Sequence, residues 1–508
     1  MTERVRGIVR NLVDRSGGVG VLAFLALVAS LARAAPPSPM WYSVLLDGRK
    51  IGSFESTREI RGEGASERVV TSQKLDLVLE RAGVQMALAD AETSEESPSG
   101  EPLSFLSVAR LSGSQTRIEG KVHDGRIDVT VQSGGGPAQL KQRAWPAGAL
   151  LPEGLRLAGV HAGLEPGTHY RALAFQPSTL DAVTVDTQVG LRETLDLPSG
   201  PATLSAIGQT LDFPGAPATS RAWVDSDQTV YKMVMPILGV DLTLLACDRA
   251  CAQAPNQSSD LFAHMLMKSP RPLSTAERTR DLRYTLRAND DGAALDLPDT
   301  DEQQVVRKGR KVILTVRKHA TGGTEPAPQA IDRESTDWLQ SSAPEIVSLA
   351  HIGAGAAETP LERMQKLQEF VRGYIKDKTL DVGYASALEV ARKPEGDCTE
   401  HAVLLAALGR ALGIPTRVVD GLAYAPAFGG AEQVFVPHAW VQAWVDARWQ
   451  SFDAALPGFD TGHIALSVGD GDPWRFYAGL DALGRMDLQR IETLDGVSAS
   501  HAVTRSHP

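Results

Sequence analysis

The rhythm of hydrophobic and polar positions changes once along the chain. From about Met40 to Pro255, short alternating runs are broken repeatedly by Gly, Pro, Asp and Ser. A period of two puts every second side chain on one face of a strand. WYSVLLDGRKIGSFES predicts two strands about an Asp47-Gly48 turn, because Asp-Gly suits the left-handed backbone of a two-residue hairpin. KLDLVLE, RIDVTVQ, ATLSAIG and TVYKMVMP repeat the pattern, with turn residues too frequent for long helices. Residues 40–255 are therefore expected to form a mainly antiparallel β-rich domain, a scaffold or binding module. Residues 256–280 read as a linker. Residues 281–335 read as a small β segment, with LRYTLRAND and VILTVRK as its strands, ending in a linker rich in Gly, Pro, Ala and Thr.

Beyond that linker the period becomes helical. In ETPLERMQKLQEFVRGYIKDK, Thr359 is placed to cap, Pro360 to open and Glu362 to close a capping box. Leu361, Met364, Leu367, Phe370, Val371, Tyr374 and Ile375 then form one apolar stripe, expected to be core. Residues 341–480 read as one domain and 481–508 as a C-terminal tail. The fold class expected for the whole is α+β.

Composition narrows the function. At 508 residues the chain is long enough for two to four domains. With 51 Lys and Arg against 62 Asp and Glu the net charge is −11, and no dense basic run tracks a phosphate backbone, so nucleic acid is not an expected partner. At the N-terminus, Arg4, Arg6, Arg10 and Arg15 precede the apolar run VGVLAFLALVASLA and the small-x-small stretch Ala32-Arg33-Ala34. This is the layout of a signal peptide over 1–34, with an uncleaved anchor as the alternative. The apolar run falls short of the roughly 20 residues that span a bilayer. A periplasmic or secreted protein, with no membrane span in the mature chain, is the expectation.

In an oxidising compartment three cysteines leave one over. Cys247 and Cys251 lie four apart and could pair, which leaves Cys398 as a free thiol. Asp397-Cys398-Thr399-Glu400 has the pattern of a capped helix start, with Asp397 as cap and Glu400 reaching back. AVLLAALGRALG continues as a buried helix, ended by Gly413 and Pro415. At the first helical position, unpaired N–H groups and the helix dipole favour a thiolate, the nucleophilic form.

A base is supplied by VFVPHAWVQAWVDARWQSFDAAL. Its alternation predicts a hairpin about Asp446-Ala447, pairing Val441 with Phe452. His438 and Asp453 then become same-face diagonal neighbours, roughly 7 Å apart at the backbone. A carboxylate on one imidazole nitrogen leaves the other to take a proton from a thiol.

GDCTEHAVLLAALGRALGIPTRVVDGLAY followed by HAWVQAWVDARWQSFDA resembles the core of the transglutaminase-like superfamily. The resemblance covers about Ser341 to Leu480 and implies a papain-like α+β core. It implies Cys398 as nucleophile, His438 as base and Asp453 as orienting acid. The family commonly follows the aspartate with Pro-Thr, whereas Ala454-Ala455 stand here. For the oxyanion, the Cys398 N–H is one expected donor and Tyr384 a second.

The reaction expected is attack of the thiolate on an amide carbonyl of a protein or peptide substrate. A thioester forms, to be resolved by water or by an amine. No cofactor is expected. A zinc site could be drawn from Cys398, His401, His438 and His463, but paired short-spaced ligands are lacking, so metal is not expected. No D-x-D-x-D-G loop suggests calcium. The alternative is a non-catalytic envelope binding or scaffold protein with a degenerate module. Substrate and oligomeric state are not specified by these features.

Overall fold

The computed structural model describes residues 39–494, apart from 82–83, 112–113, 134–137, 213–217, 238–239, 258–264, 289–296, 320–324, 337, 378–384 and 472–485. The expected signal peptide, Tyr384 and the last residues of the expected tail lie outside the described residues.

Asp47 and Gly48 both adopt positive φ, so the Asp-Gly pair makes the two-residue hairpin its chemistry favours. That hairpin, Met40–Leu46 with Arg49–Arg61, sits at the centre of a 15-stranded sheet. On one side the strands follow outward in chain order to Gln139–Ala144. On the other, Val240–Cys247 pairs with Met40–Leu46, and the order runs back to Ala149–Leu150. Pairing is antiparallel except where Ala149–Leu150 meets His169–Gln176.

Apolar residues from both arms share one core: Tyr42, Phe54 and Leu75 pack in the same cluster as Val185, Leu211 and Met233. Near the ends, Phe105 and Ile127 of one arm cluster with Leu151 and Phe175 of the other. The sheet is therefore curled until its outer strands meet over a common interior. Some of that interior is acidic: Asp90 and Glu92 are buried and pushed up by desolvation, Asp90 to about 7. Cys247 and Cys251 form a disulfide, with Cα atoms 6.0 Å apart.

The C-terminal half has three layers. A four-stranded sheet carries Gln303–Lys308, Lys311–Val316, Leu282–Ala288 and Met486–Thr493 in that order. Met486–Thr493 falls in the stretch expected to be a tail. It is a strand because Leu282–Ala288 offers it a free antiparallel edge and buries Met486, Leu488 and Ile491.

The middle layer is five-stranded. Ala431–Val445 pairs with Thr416–Phe428, and His463–Gly469 lies beyond; Met267–Lys268 and Arg448–Phe452 also pair with Ala431–Val445. The two sheets share a core of Tyr284, Leu314, Val419, Phe435, Trp440 and Ile464. On the other face, Val418, Ala439, Val441 and Ala443 pack against helices Pro344–Ala354, Pro360–Tyr374, Ala387–Arg392 and Cys398–Ala411. Alternate residues of one strand thus serve two cores. The architecture is α+β.

Three consecutive side chains tie the layers. The Asp301 and Glu302 carboxylates accept the Trp449 and Ser451 N–H groups at 2.8 and 3.0 Å, while the Gln303 amide pairs with both backbone groups of Ala465. Backbone N–H groups of edge strands are thereby satisfied by side chains from the neighbouring sheet.

Candidate active site

Cys398 is the first residue of the helix Cys398–Ala411. Asp397 caps it, its carboxylate accepting the Thr399 N–H at 2.9 Å, and Glu400 accepts the Asp397 N–H at 2.9 Å. The capping box is the one the sequence spells. Glu400 is fully buried and also accepts the Ala385 N–H at 3.0 Å, docking the preceding segment on the helix. Burial, and then the neighbouring Asp397, push the Glu400 carboxyl up to about 8. Gly396 is required here: φ is +136° and a Cβ would fall 2.4 Å from Glu400 Cγ. At its far end the helix closes on Gly413, with the Ile414 and Gly413 N–H groups donating to Gly409 and Arg410 carbonyls.

The base arrives on the hairpin. Asp446 and Ala447 both have positive φ and form the two-residue turn, so Val441 pairs with Phe452. In that register His438 Nε2 lies 2.9 Å from Asp453 Oδ2. The Cys398 thiol is hydrogen-bonded to the same imidazole. Because Nε2 is committed to the carboxylate, Nδ1 is the nitrogen left for sulfur. The structure thus brings together all three residues singled out from sequence, with Cys398 half-buried and His438 and Asp453 buried.

Electrostatics favour a charged pair. Burial alone would pull His438 down. The Asp453 carboxylate, the Cys398 sulfur and their hydrogen bonds outweigh it and hold the imidazole up to about 9. Burial works against Asp453 as well, and is overcome by His438 and His463, which hold the carboxyl well below its usual range.

Asp453 is fully satisfied. Oδ1 accepts the Ala455 and Leu456 N–H groups at 2.8 and 3.0 Å. Both backbone donors lie past Ala454, at residues 455 and 456. Helix Pro360–Tyr374 holds the same turn from behind, through Gln368 Oε1 on the Asp453 N–H at 3.0 Å and Arg372 on the Asp453 carbonyl at 3.0 Å. Sequence reading missed both, since a polar residue off the apolar stripe looks like solvent-facing decoration.

It also missed the second imidazole on Asp453, that of His463, at 3.1 Å from Oδ2. Donor atoms of His438, Asp453 and His463 lie within 4.8 Å of one another. As placed, both Nε2 atoms are turned to the same carboxylate oxygen of Asp453. His401, the other residue of the zinc alternative, has Nδ1 2.6 Å from the Asp397 carbonyl. A cavity of about 340 Å³ opens between Ile331, Arg410, Arg417 and Trp449. Arg410 lies twelve residues along the helix from Cys398, roughly 18 Å at 1.5 Å per residue. That cavity is not the thiol site.

Comparison with known proteins gives one family match: residues 348–454 match the transglutaminase-like superfamily. The match takes in Cys398, His438 and Asp453 and covers about a fifth of the chain. No curated protein matches the chain. Among solved structures, it is similar to a proposed cysteine protease from Cytophaga hutchinsonii, at 17% identity and TM-score 0.28 over 42% of this chain and 89% of that one. It is similar also to a β-barrel-like protein of a domain of unknown function from Brucella abortus, at 15% identity and TM-score 0.33 over 42% of this chain and 96% of that one. A third, a proposed protease from Parabacteroides distasonis, shares 11% identity at TM-score 0.20 over 70% of this chain and 69% of that one. These likenesses are too distant to assign an activity.

Proposed function

From a transglutaminase-like domain at 348–454, we propose an exported thiol enzyme that acts on amide bonds of protein or peptide substrates through a Cys398 thioester. The observation that carries this reading is a half-buried thiol at a capped helix start, hydrogen-bonded to an imidazole that Asp453 orients. Cys398 attacks the amide carbonyl carbon and the C–N bond breaks. His438 gives its proton to the departing amine. The oxyanion faces the Cys398 N–H, the donor nearest the sulfur along the chain. Water or an amine then takes the acyl group from sulfur, with His438 as base, and the thiol is restored.

Export rests on the basic and apolar layout of residues 1–34 and on a disulfide elsewhere in the chain. Among the described residues, no helix is long and apolar enough to cross a membrane. The curled β domain would serve as the scaffold or binding module.

The test uses the mature chain on fluorescently labelled casein, with and without a dansylated primary amine. Label released as small peptides would mean hydrolysis; dansyl joined to casein would mean acyl transfer. Both are expected to vanish in Cys398→Ala. Neither signal in wild type, or either one surviving in Cys398→Ala, would overturn the reading and favour a binding module.

A further inference from the structure

Two imidazoles hold Asp453: that of His438, which meets the thiol, and that of His463. His463 opens the strand His463–Gly469, with Nε2 on the same Oδ2 that receives His438. Its Nδ1 lies 2.9 Å from the Asp460 carbonyl and 3.3 Å from both Asp460 Oδ1 and the Asp460 N–H. Asp460 in turn binds Arg278 at 2.5 Å. The rings of Trp440 and Phe459 stand 5.1 and 5.0 Å from that of His463, which is 2% exposed. The nearest partner of each ring nitrogen is an acceptor, and an imidazole that donates to both is protonated. Opposite charges therefore alternate along one line: Arg278, Asp460, His463, Asp453, His438, Cys398.

We propose that His463 is a positioning residue of the thiol site, a second imidazole that fixes the Asp453 carboxylate and whose charge sets the pH range in which the Cys398–His438 pair reacts. This rests on reading Cys398 as a His438-activated nucleophile. The ring is tied down at both nitrogens, so Asp453 cannot rotate away from His438 without breaking a second buried bond. Its charge also competes for the carboxylate. Burial lowers His463, and the hydrogen bonds to Asp453 and Asp460 overcome this and hold it up to about 9.

Other charged or titratable groups around it are accounted for. Arg372 meets the backbone of the Asp453 turn, Tyr284 donates to the Thr461 carbonyl at 2.5 Å, and Lys318 reaches the Phe459 carbonyl. Glu302 binds Ser451, which accepts from Trp440. None of them touches the shared oxygen.

His463→Gln keeps a donor of similar reach and removes the charge. His438 then feels Asp453 less shielded and gives up its proton at higher pH. Cys398 loses a nearby positive charge and ionises at higher pH. Both limbs of the reactivity profile should move the same way. A residue that only filled space would change rate or stability and leave the limbs in place.

The experiment is the pH dependence of iodoacetamide alkylation at Cys398 in the full chain, which is clean because Cys247 and Cys251 are bonded to each other. Wild type is expected to react well below pH 7. His463→Gln is expected to shift the whole profile upward by about one unit, the size of a close charge effect. Unmoved limbs overturn the proposal while leaving the nucleophile reading intact. An ordinary thiol profile in wild type overturns both. Should His463→Gln fail to fold, ring ¹⁵N spectra of histidine-labelled wild type decide: His463 doubly protonated at pH 8 supports the proposal, and a neutral ring at pH 7 overturns it.

Discussion

The Nε2 of His438 and the Oδ2 of Asp453 are 2.9 Å apart in a buried environment, and the carboxylate accepts three further hydrogen bonds. Asp453→Asn replaces part of that acceptor set with a donor that cannot serve two imidazoles and two backbone amides together. Amide turnover is expected to fall about 10²–10⁴-fold, as when a triad acid loses control of the histidine tautomer. Steady-state kinetics on the casein substrate would show it. A loss under tenfold would remove Asp453 from the mechanism.

Gly396 holds φ +136° against Glu400. Gly396→Ala is expected to cost roughly 1–3 kcal/mol through backbone strain and to disturb the turn that presents Cys398. Urea midpoints would report the first effect, and Cys398 alkylation at pH 6 the second. An unchanged midpoint would mean that the turn is not constrained as described.

Buried acids give the fold a pH signature. Burial raises Asp90, Glu96 and Glu302 to about 7 and, with Asp397 beside it, Glu400 to about 8; His438 and His463 are held at about 9. In the unfolded chain these carboxyls titrate near 4 and the imidazoles near 6.5. The folded state therefore keeps protons that the unfolded state has released. The carboxyl contribution is therefore lost from about pH 4 to 8 and the imidazole contribution from about pH 6.5 to 9. Urea midpoints measured from pH 5 to 9 should decline steadily. A midpoint that rises over this range would contradict the assignment.

Glu302 accepts from the Ser451 N–H and Oγ and from Gln442. Glu302→Ala leaves buried donors unpaired and is expected to cost about 1–3 kcal/mol, while Glu302→Gln keeps an acceptor and costs less. Equal losses in thermal unfolding would show that the contact is packing alone.

How much of this could be read from residues alone depended on range. The helix start at Cys398 was legible because Asp397 and Glu400 form a box within four residues. The meeting of His438 and Asp453 was legible because a two-residue turn at Asp446-Ala447 fixes the parity of both strands. Those signals are local. His463 reaches Asp453 from a strand paired with Thr416–Phe428, and no cap, period or turn near it says so. Gln368 and Arg372 look like ordinary polar positions of an amphipathic helix. Asp301 and Glu302 look like solvent-facing acids until two sheets stack over them. Met486–Thr493 was read as tail because its partner strand lies about two hundred residues earlier. Each of these depends on tertiary placement, which local propensity does not encode.

In the proposed mechanism Cys398 is a thiolate stabilised by His438. The most direct measurement is the rate of Cys398 alkylation against pH in the mature protein and in His438→Ala. The rate is expected to stay high well below pH 7 in wild type and to collapse in the variant. A rate that rises only near pH 8.5 in both would contradict it, leaving Cys398 an ordinary thiol.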